Sequence, residues 1–285
     1  MDGFIETKNK RKSKKPKRMI VIPVVITVLV ILFLGVLGFI IGAGDGDLPE
    51  NADYLEYYLR NDGTLAVGIG NATHLEKIEI PKKYAGKKIT EILDFTSENL
   101  KEVIVPGSIT SINHGSFSGC KSLLVARISE GVTTIGERAF ENCESLTIVT
   151  LPNTLTTISE MAFANCKSLL KIILPSGVSV VEGNAFKNCI ALENVIITSN
   201  ATNIKDYAFS NCMLLSSIEL PNGVTNIGKN AFYNCTFIDT VYFDGVLDDW
   251  RKMEKYAWWS VVKSQCRPSV ICTDFVIDSY GNVID

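Results

Sequence analysis

A phenylalanine recurs every 23 residues through the middle of this 285-residue chain, and that period constrains the fold more than any other feature. A cysteine follows each phenylalanine by three residues, and a leucine or isoleucine follows each cysteine by three more. A fixed period of about 20–29 residues is typical of a leucine-rich repeat solenoid, in which each repeat is one coil that cannot bury its apolar side alone. The phenylalanines are Phe117, Phe140, Phe163, Phe186, Phe209 and Phe232, and the cysteines are Cys120, Cys143, Cys166, Cys189, Cys212 and Cys235.

One coil of the solenoid is represented by residues 146–168. Alternation predicts a short strand in which Leu146, Val149 and Leu151 point inward. Proline supplies no N–H donor to a strand ladder, so Pro152 is expected to end the strand. Counting an initial strand at Ile78 and Ile80, the repeats predict eight strands stacked in one continuous parallel sheet.

Two further segments of each coil have their own pattern. A second short apolar pair, Leu155 and Ile158 in this coil, predicts a short parallel strand on the opposite wall, with a column of mainly threonine hydroxyls that can hydrogen-bond to one another. The segment Ser159–Cys166 is predicted to form one turn of helix that closes the coil. The phenylalanine column is interpreted as buried packing. The predicted fold class is therefore a mostly β repeat solenoid with short helical turns and capped ends.

Residues that alternate with the buried strand positions are expected on the exposed side of the sheet, where a ligand would bind. Val125, Ile148, Ile173 and Ile196 form an apolar cluster there. A clustered apolar patch favours a protein contact. The alternative is that these residues are present only because β-branched residues favour strands. The candidate partner-binding residues are Val125, Arg127, Ile148, Thr150, Lys171, Ile173, Asn194, Ile196, Glu219 and Tyr242.

The charge pattern divides the chain into segments. Residues 1–18 carry eight basic side chains, and residues 19–44 carry no charge. The predicted organisation is a basic cytoplasmic tail at 1–18, a transmembrane signal-anchor helix at 19–44, a linker at 45–53, an N-terminal cap hairpin at 54–76, the solenoid at 77–243 and a C-terminal cap at 244–285.

The uncharged run is long enough to cross a bilayer as a helix. Because the basic cluster precedes it, the positive-inside rule predicts a single-pass protein of the cell membrane with a cytoplasmic N-terminus and an extracellular repeat domain. A cleaved signal peptide is the alternative, but its apolar region would be only about 7–15 residues long. The remainder of the chain is acidic, which disfavours a nucleic-acid partner.

The eight cysteines of an exported chain would ordinarily indicate disulfides. Six of them share one repeat position, so their Cβ vectors are parallel and unsuited to pairing. We expect these six thiols to be reduced and buried. Cys266 and Cys272 lie outside the ladder, and the sequence leaves open whether they pair.

Each end of the stack requires a cap, because an open end exposes apolar surface and strand edges. At the front, a hairpin is predicted to turn at Asp62-Gly63. At the back, Asp248 is predicted to cap a short helix that carries Trp250, Met253 and Ala257 on one side. Trp258 and Trp259 are expected to cover the last coil, and residues 269–282 are expected to form a closing strand or hairpin.

The repeat string resembles that of the BspA-like leucine-rich repeat surface proteins. The resemblance extends over residues 54–285 and rests on TLPNTLTTISEMAFANC, on ELPNGVTNIGKNAFYNC, on the front IEIPKKYAGKKITEI and on the tail VYFDGVLDDWRKM. It implies a curved solenoid at a bacterial or protist surface, associated with adhesion, binding of host proteins or envelope attachment. The resemblance brings no catalytic residues with it.

The sequence contains no recognisable catalytic, metal-binding or phosphate-binding motif. The two histidines, His74 and His114, fit no metal spacing, and neither a phosphate loop nor a nucleophile elbow is present. No catalytic residue, metal site or cofactor is therefore predicted. The sequence favours binding of a protein or glycan at the cell surface, with a structural envelope spacer as the second reading and an enzyme as an unsupported third.

Overall fold

Two walls of short parallel strands stack into a solenoid in the computed structural model, which describes residues 20–21, 48–197, 200–255, 268–278 and 282–284. The buried phenylalanine, cysteine and leucine columns fill the space between the walls. The predicted basic tail, most of the predicted membrane segment, Ala257, Trp258, Trp259 and Cys266 lie outside the described residues.

The first wall consists of the longer strands. They are Lys77–Glu79, Glu102–Val105, Val125–Ile128, Ile148–Thr150, Lys171–Leu174, Asn194–Ile197, Ser217–Pro221 and Thr240–Asp244. Most neighbouring strands pair in register, for example Ile173 with Ile196. The prediction of one continuous sheet is wrong at one place, because no pairing joins Ile148–Thr150 to Lys171–Leu174 and the eight strands divide into two groups of four.

The second wall confirms the predicted short strands. They are Ser111–Ile112, Thr134–Ile135, Thr157–Ile158, Val180–Val181, Asn203–Ile204, Asn226–Ile227 and Glu254–Lys255. The threonine hydroxyls do not form the predicted hydroxyl-to-hydroxyl bonds within this wall. Thr133 and Thr156 each donate to a backbone carbonyl of the preceding coil, at 3.0 and 3.1 Å.

The corner that contains Phe163 is not the predicted turn of helix. Met161 and Asn165 have left-handed backbone conformations, with φ of 56° and 62°, which interrupt a right-handed helix. The amides of Met161, Phe163 and Asn165 donate to carbonyl oxygens of the next coil, at 3.2, 2.9 and 2.8 Å. The corner is therefore a series of tight turns held to its neighbour by a backbone ladder.

Phenylalanine rings and asparagine side chains stack at this corner along the solenoid. From Phe117 to Phe232, successive rings lie 5.1–5.5 Å apart and nearly parallel. Phe95 extends the column at the front, although it lies outside the 23-residue spacing. Next to the rings, Asn165, Asn188 and Asn211 form a ladder in which each side-chain amide donates to the amide oxygen before it, at 2.7–2.9 Å.

The six ladder cysteines are buried and free, as is Cys272. Each ladder thiol donates to the carbonyl oxygen of a phenylalanine in the preceding coil, at 3.1–3.3 Å. Burial raises the pKa of Cys189 to about 12 and that of Cys120 to about 11. These thiols are therefore protonated near neutral pH, and the column serves as packing.

The front cap contains the predicted hairpin, with Gly63 in the left-handed region at its turn. Tyr57 of this hairpin stacks on Tyr84, with ring centroids 3.8 Å apart. The elements of the cap are the 3₁₀ turns Ala52–Tyr54 and Ala72–His74 and the strands Ile20–Val21, Glu56–Leu59, Leu65–Gly68, Lys83–Tyr84 and Lys87–Ile92.

The strand Ile20–Val21 lies within the predicted membrane segment and pairs with Tyr58 and Leu59 of the hairpin. At these two β-branched residues the backbone is therefore extended instead of helical. Within the described ranges, no helix is both long enough and apolar enough to cross a bilayer.

The back cap begins with the helix Leu247–Lys252, whose Trp250 is buried together with Met253. Asp248 does not cap this helix, because it lies inside the first turn. The carboxylate of Asp274 instead accepts a hydrogen bond from the amide of Leu247 at 2.8 Å. The closing strands are Ser269–Ile271, which is parallel to the last strand of the first wall, and the antiparallel Val276–Ile277 and Val283–Ile284.

The asparagine ladder gives a test of what stabilises the corner. Asn188→Ala removes the hydrogen bonds to Asn165 and Asn211 and forces an alanine into a backbone conformation with φ of 61°. We expect urea unfolding to show a loss of about 1–3 kcal/mol. Asn188→Gly loses the same hydrogen bonds but tolerates this φ, so it should be the milder change. Equal stability of Asn188→Ala and the wild type would contradict this role.

Candidate functional site

All ten predicted partner-binding side chains lie on one side of the first wall, which we call the outer face. Eight of the ten are exposed, and Val125, Ile148, Ile173 and Ile196 form its apolar centre. The alternation predicted for the strands is therefore observed, while the binding role of these residues stays a prediction. The outer face consists of Val125, Arg127, Ile148, Thr150, Lys171, Ile173, Asn194, Ile196, Glu219 and Tyr242.

The apolar centre is made of two register pairs. Ile148 is paired with Val125, and Ile173 is paired with Ile196. Ile148 is 51% exposed and Ile173 is 49% exposed, whereas Val125 and Ile196 are half-buried. When a partner removes large aliphatic side chains at this exposure from water, the free energy of the complex is lowered.

Charged side chains surround this centre. Glu102 accepts a hydrogen bond from Arg127, with 2.9 Å between Nε and Oε1, and lies 3.4 Å from Lys77. The bond from Arg127, supported by Lys77, lowers the pKa of Glu102. Lys171 and Glu219 form no ion pair with any described residue, so their charges remain for a partner.

A cleft opens in the outer face where the two groups of strands separate. It encloses about 620 Å³ between Ile148–Thr150 on one side and Lys171–Leu174 on the other. Among the described residues, the amides of Leu170 and Lys171 make no hydrogen bond to Thr147, although Thr147 and Ile148 both donate to the carbonyl of Leu124. The lining residues are Thr147, Ile148, Val149, Thr150, Leu151, Asn153, Leu170, Lys171, Ile173, Pro175 and Ser176.

The two coils remain in contact on both sides of the cleft. At the corner, Phe163 stacks on Phe186 at 5.5 Å, and the thiol of Cys189 donates to the carbonyl of Phe163 at 3.3 Å. At the turn after the first wall, an added Cβ on Gly177 would lie 2.5 Å from the carbonyl oxygen of Leu155. The second wall is also unpaired at this level, between Thr157–Ile158 and Val180–Val181.

The cleft changes the surroundings of two side chains that were predicted to point into the core. Val149 and Leu151 are only half-buried, although Ala126 and Ile128 one coil earlier are buried. The reason is that the next coil does not close over them. The repeats on both sides of the break carry the regular motif, so the sequence gives no signal of it.

A second exposed apolar patch, the corner patch, was not predicted. It consists of Ile190, Met213, Leu214 and Phe237, and Phe237 is 63% exposed. These residues occupy the two repeat positions after each cysteine. The same positions hold polar residues in the earlier coils, including Lys167 and Glu144, which form an ion pair at 3.1 Å. Comparing the two positions after each repeat cysteine along the sequence would have predicted the patch.

The described residues offer little for catalysis or metal binding. No group of three or more potential metal-ligating side chains occurs within them. His74 contacts the backbone oxygen of Asn71 at 2.9 Å, and His114 lies 3.9 Å from Glu137, in a separate place.

Comparisons with known proteins agree with this architecture. The family model described as "BspA type Leucine rich repeat region" matches residues 87–214 and 158–260 with six copies, which is more than half of the chain. No curated protein matches the chain significantly in sequence.

Three solved structures share the fold. A leucine-rich repeat protein of T. pallidum is 24% identical, with a TM-score of 0.52, over 67% of this chain and 84% of that chain. A leucine-rich cell surface protein of Faecalibacterium prausnitzii is 22% identical, with a TM-score of 0.52, over 71% of this chain and 72% of that chain. A leucine-rich repeat protein of Bacteroides ovatus is 22% identical, with the same TM-score, over 77% of this chain and 70% of that chain.

Hydrogen exchange tests the break in the first wall. In this parallel arrangement the amide of Ile148 donates to the preceding coil, so the amide of Ile173 points into the cleft and that of Ile196 points to a paired strand. We expect Ile173 to exchange at least about tenfold faster than Ile196, and Val149 to exchange faster than Ala126. Amide exchange followed by NMR measures both pairs. Equal protection within each pair would show that the coils are joined in solution.

Proposed function

We propose that this chain, which belongs to the BspA-type leucine-rich repeat family, binds a protein partner through the outer face of its first wall. The observation that carries this proposal is the apolar centre at Ile148 and Ile173, each about half exposed. An apolar centre with a polar rim is the usual anatomy of a protein interface. Lys171 and Glu219 supply charges at its edge that a partner can meet.

The composition of the outer face favours a protein over a glycan. Its exposed centre is aliphatic, and isoleucine offers no hydrogen-bonding group to a sugar hydroxyl. A spacer without a ligand would be expected to have a uniformly polar face, because large exposed apolar patches favour association. Adhesion, or contact with a host or envelope protein, is the role that fits the family resemblance.

We also propose that the repeat domain is displayed outside the cell on an N-terminal anchor. The support is the basic cluster of residues 1–18 followed by the uncharged residues 19–44. Lysine and arginine are retained on the cytoplasmic side of a membrane span, which orients the remainder of the chain outward. The acidic balance of that remainder suits an exposed surface domain.

The double change Ile173→Glu with Ile196→Glu tests the binding face. Two carboxylates placed in the apolar centre must be desolvated on binding, so we expect capture of the partner to be abolished. The fold should persist with a melting temperature within about 4 °C of the wild type, because neither side chain is fully buried. The measurement compares proteins captured from cell-envelope and host extracts by the wild type and the variant, identified by mass spectrometry.

The corner patch provides a matched control for that experiment. Met213→Glu with Phe237→Glu introduces the same two charges at exposed apolar positions outside the outer face. We expect this variant to capture the same partner as the wild type. Loss of capture in the control alone would place the interface at the corner patch. Capture by neither the wild type nor the control would favour the spacer, and binding on a glycan array without protein capture would favour a glycan ligand.

Protease treatment of intact cells tests the proposed display. Protease should degrade the repeat domain and leave a small membrane-bound fragment that contains residues 1–18, because the tail would be protected in the cytoplasm. Antibodies against the two ends of the chain distinguish the fragments. Release of an intact soluble domain that begins near Asp45 would instead identify residues 19–44 as a cleaved signal.

A further inference from the structure

We propose that the cleft in the outer face receives a short extended segment of the protein partner, which adds a strand between Ile148–Thr150 and Lys171–Leu174. This inference rests on the proposed function, since it specifies what part of a protein partner the same face recognises. The observation behind it is that two strand edges face each other across a cavity of about 620 Å³ inside an otherwise paired wall.

The backbone on both sides of the cleft determines the kind of ligand. Val149 and Leu151 direct their backbone groups toward the next coil, while Lys171 and Ile173 direct theirs toward the preceding one. None of these groups has a partner strand across the gap. An open strand edge is a template for another strand. An extended peptide that pairs with both edges would satisfy their unpaired backbone N–H donors and C=O acceptors together.

The size of the cleft sets the length of the segment. The two edges are three and four residues long. At about 3.3 Å per residue, a segment of three or four residues would pair along their full length. The cavity volume lies within the range of about 300–1,000 Å³ that is typical of ligand pockets. Because Gly177 and Leu155 close the wall at one end, the segment must leave toward solvent.

The side chains around the cleft indicate the sequence of the segment. Val149 and Leu151 are half-buried and need one apolar side chain to complete their burial. Ile148 and Ile173 line the opening on the outer face, so a second apolar residue at the adjacent position, which points outward, would cover them. Lys171 lines the same cleft without an ion pair among the described residues. We therefore infer an extended segment with two adjacent apolar residues, one pointing inward and one outward, and a carboxylate on the outward side next to Lys171.

The test uses a library of random heptapeptides displayed on phage and the full-length protein in detergent micelles. We expect enriched peptides with two adjacent apolar residues and an acidic residue. A synthetic copy of one such peptide is then methylated on one backbone nitrogen at a time. Because successive amides of an inserted strand face its two neighbours in turn, methylation should weaken binding about tenfold at each of the three or four paired positions and little outside them.

Two variants connect this peptide to the cleft. Ile173→Pro removes an amide that faces the cleft, and proline is tolerated on a strand edge that lacks a partner. Ile173→Val keeps the amide and the branched side chain. We expect the first to lose peptide binding by tenfold or more, and the second to bind within about twofold of the wild type. Thermal unfolding verifies that both variants are folded.

The outcomes separate this inference from the proposed function. No enriched peptide, or a peptide that tolerates methylation at every position, would overturn strand addition. If Ile173→Pro still captures the partner while Ile173→Glu with Ile196→Glu does not, the outer face binds a protein by its side chains alone and the inference is wrong. If peptide binding requires a second copy of the chain, as shown by sedimentation of the complex, the cleft is a self-association site and the inference is equally wrong.

Discussion

Stacking at the corner of each coil is the interaction on which the rest of the solenoid depends. There the phenylalanine rings, the asparagine amides and the cysteine thiols each repeat their contact with the neighbouring coil. The contacts continue from Phe163 to Phe186 even where the strands of both walls are unpaired. The walls are therefore the variable part of the structure, and the corner is what keeps successive coils aligned.

The inward columns, the second wall and the front hairpin could be predicted from the sequence, because each follows from apolar periodicity or from a turn residue such as Gly63. The corner at Ser159–Cys166 was predicted to be one turn of helix that closes the coil. The left-handed conformations of Met161 and Asn165 rule out this helix, and the amides of both residues donate hydrogen bonds to carbonyl oxygens of the next coil. A bond between coils has no local signature in a single repeat.

Part of the candidate site could likewise be predicted from the sequence, and part could not. Alternation was enough to place Ile173 and Ile196 on the exposed side of the sheet. The cleft beside Ile173 was beyond sequence reasoning, because a break between two regular repeats depends on how whole coils stack. The same holds for the back cap, where the amide of Leu247 at the start of the helix donates to the carboxylate of Asp274, 27 residues later in the chain. Long-range partners of this kind become visible only in three dimensions.

The break in both walls also bears on how the molecule unfolds. In a repeat protein, stability is approximately the sum of terms for each repeat and for each interface between neighbours. In the second wall, between Ser111 and Lys255, each strand pairs with the strand of the next coil at every interface except one. The exception is the interface between the coil of Ile158 and the coil of Val181, which has no strand pairing. Cooperativity is weakest at such an interface, so the coils before it and the coils after it behave as two folding units. The solenoid then has one preferred plane of separation, and a ligand that bridges this plane would also make its melting more cooperative.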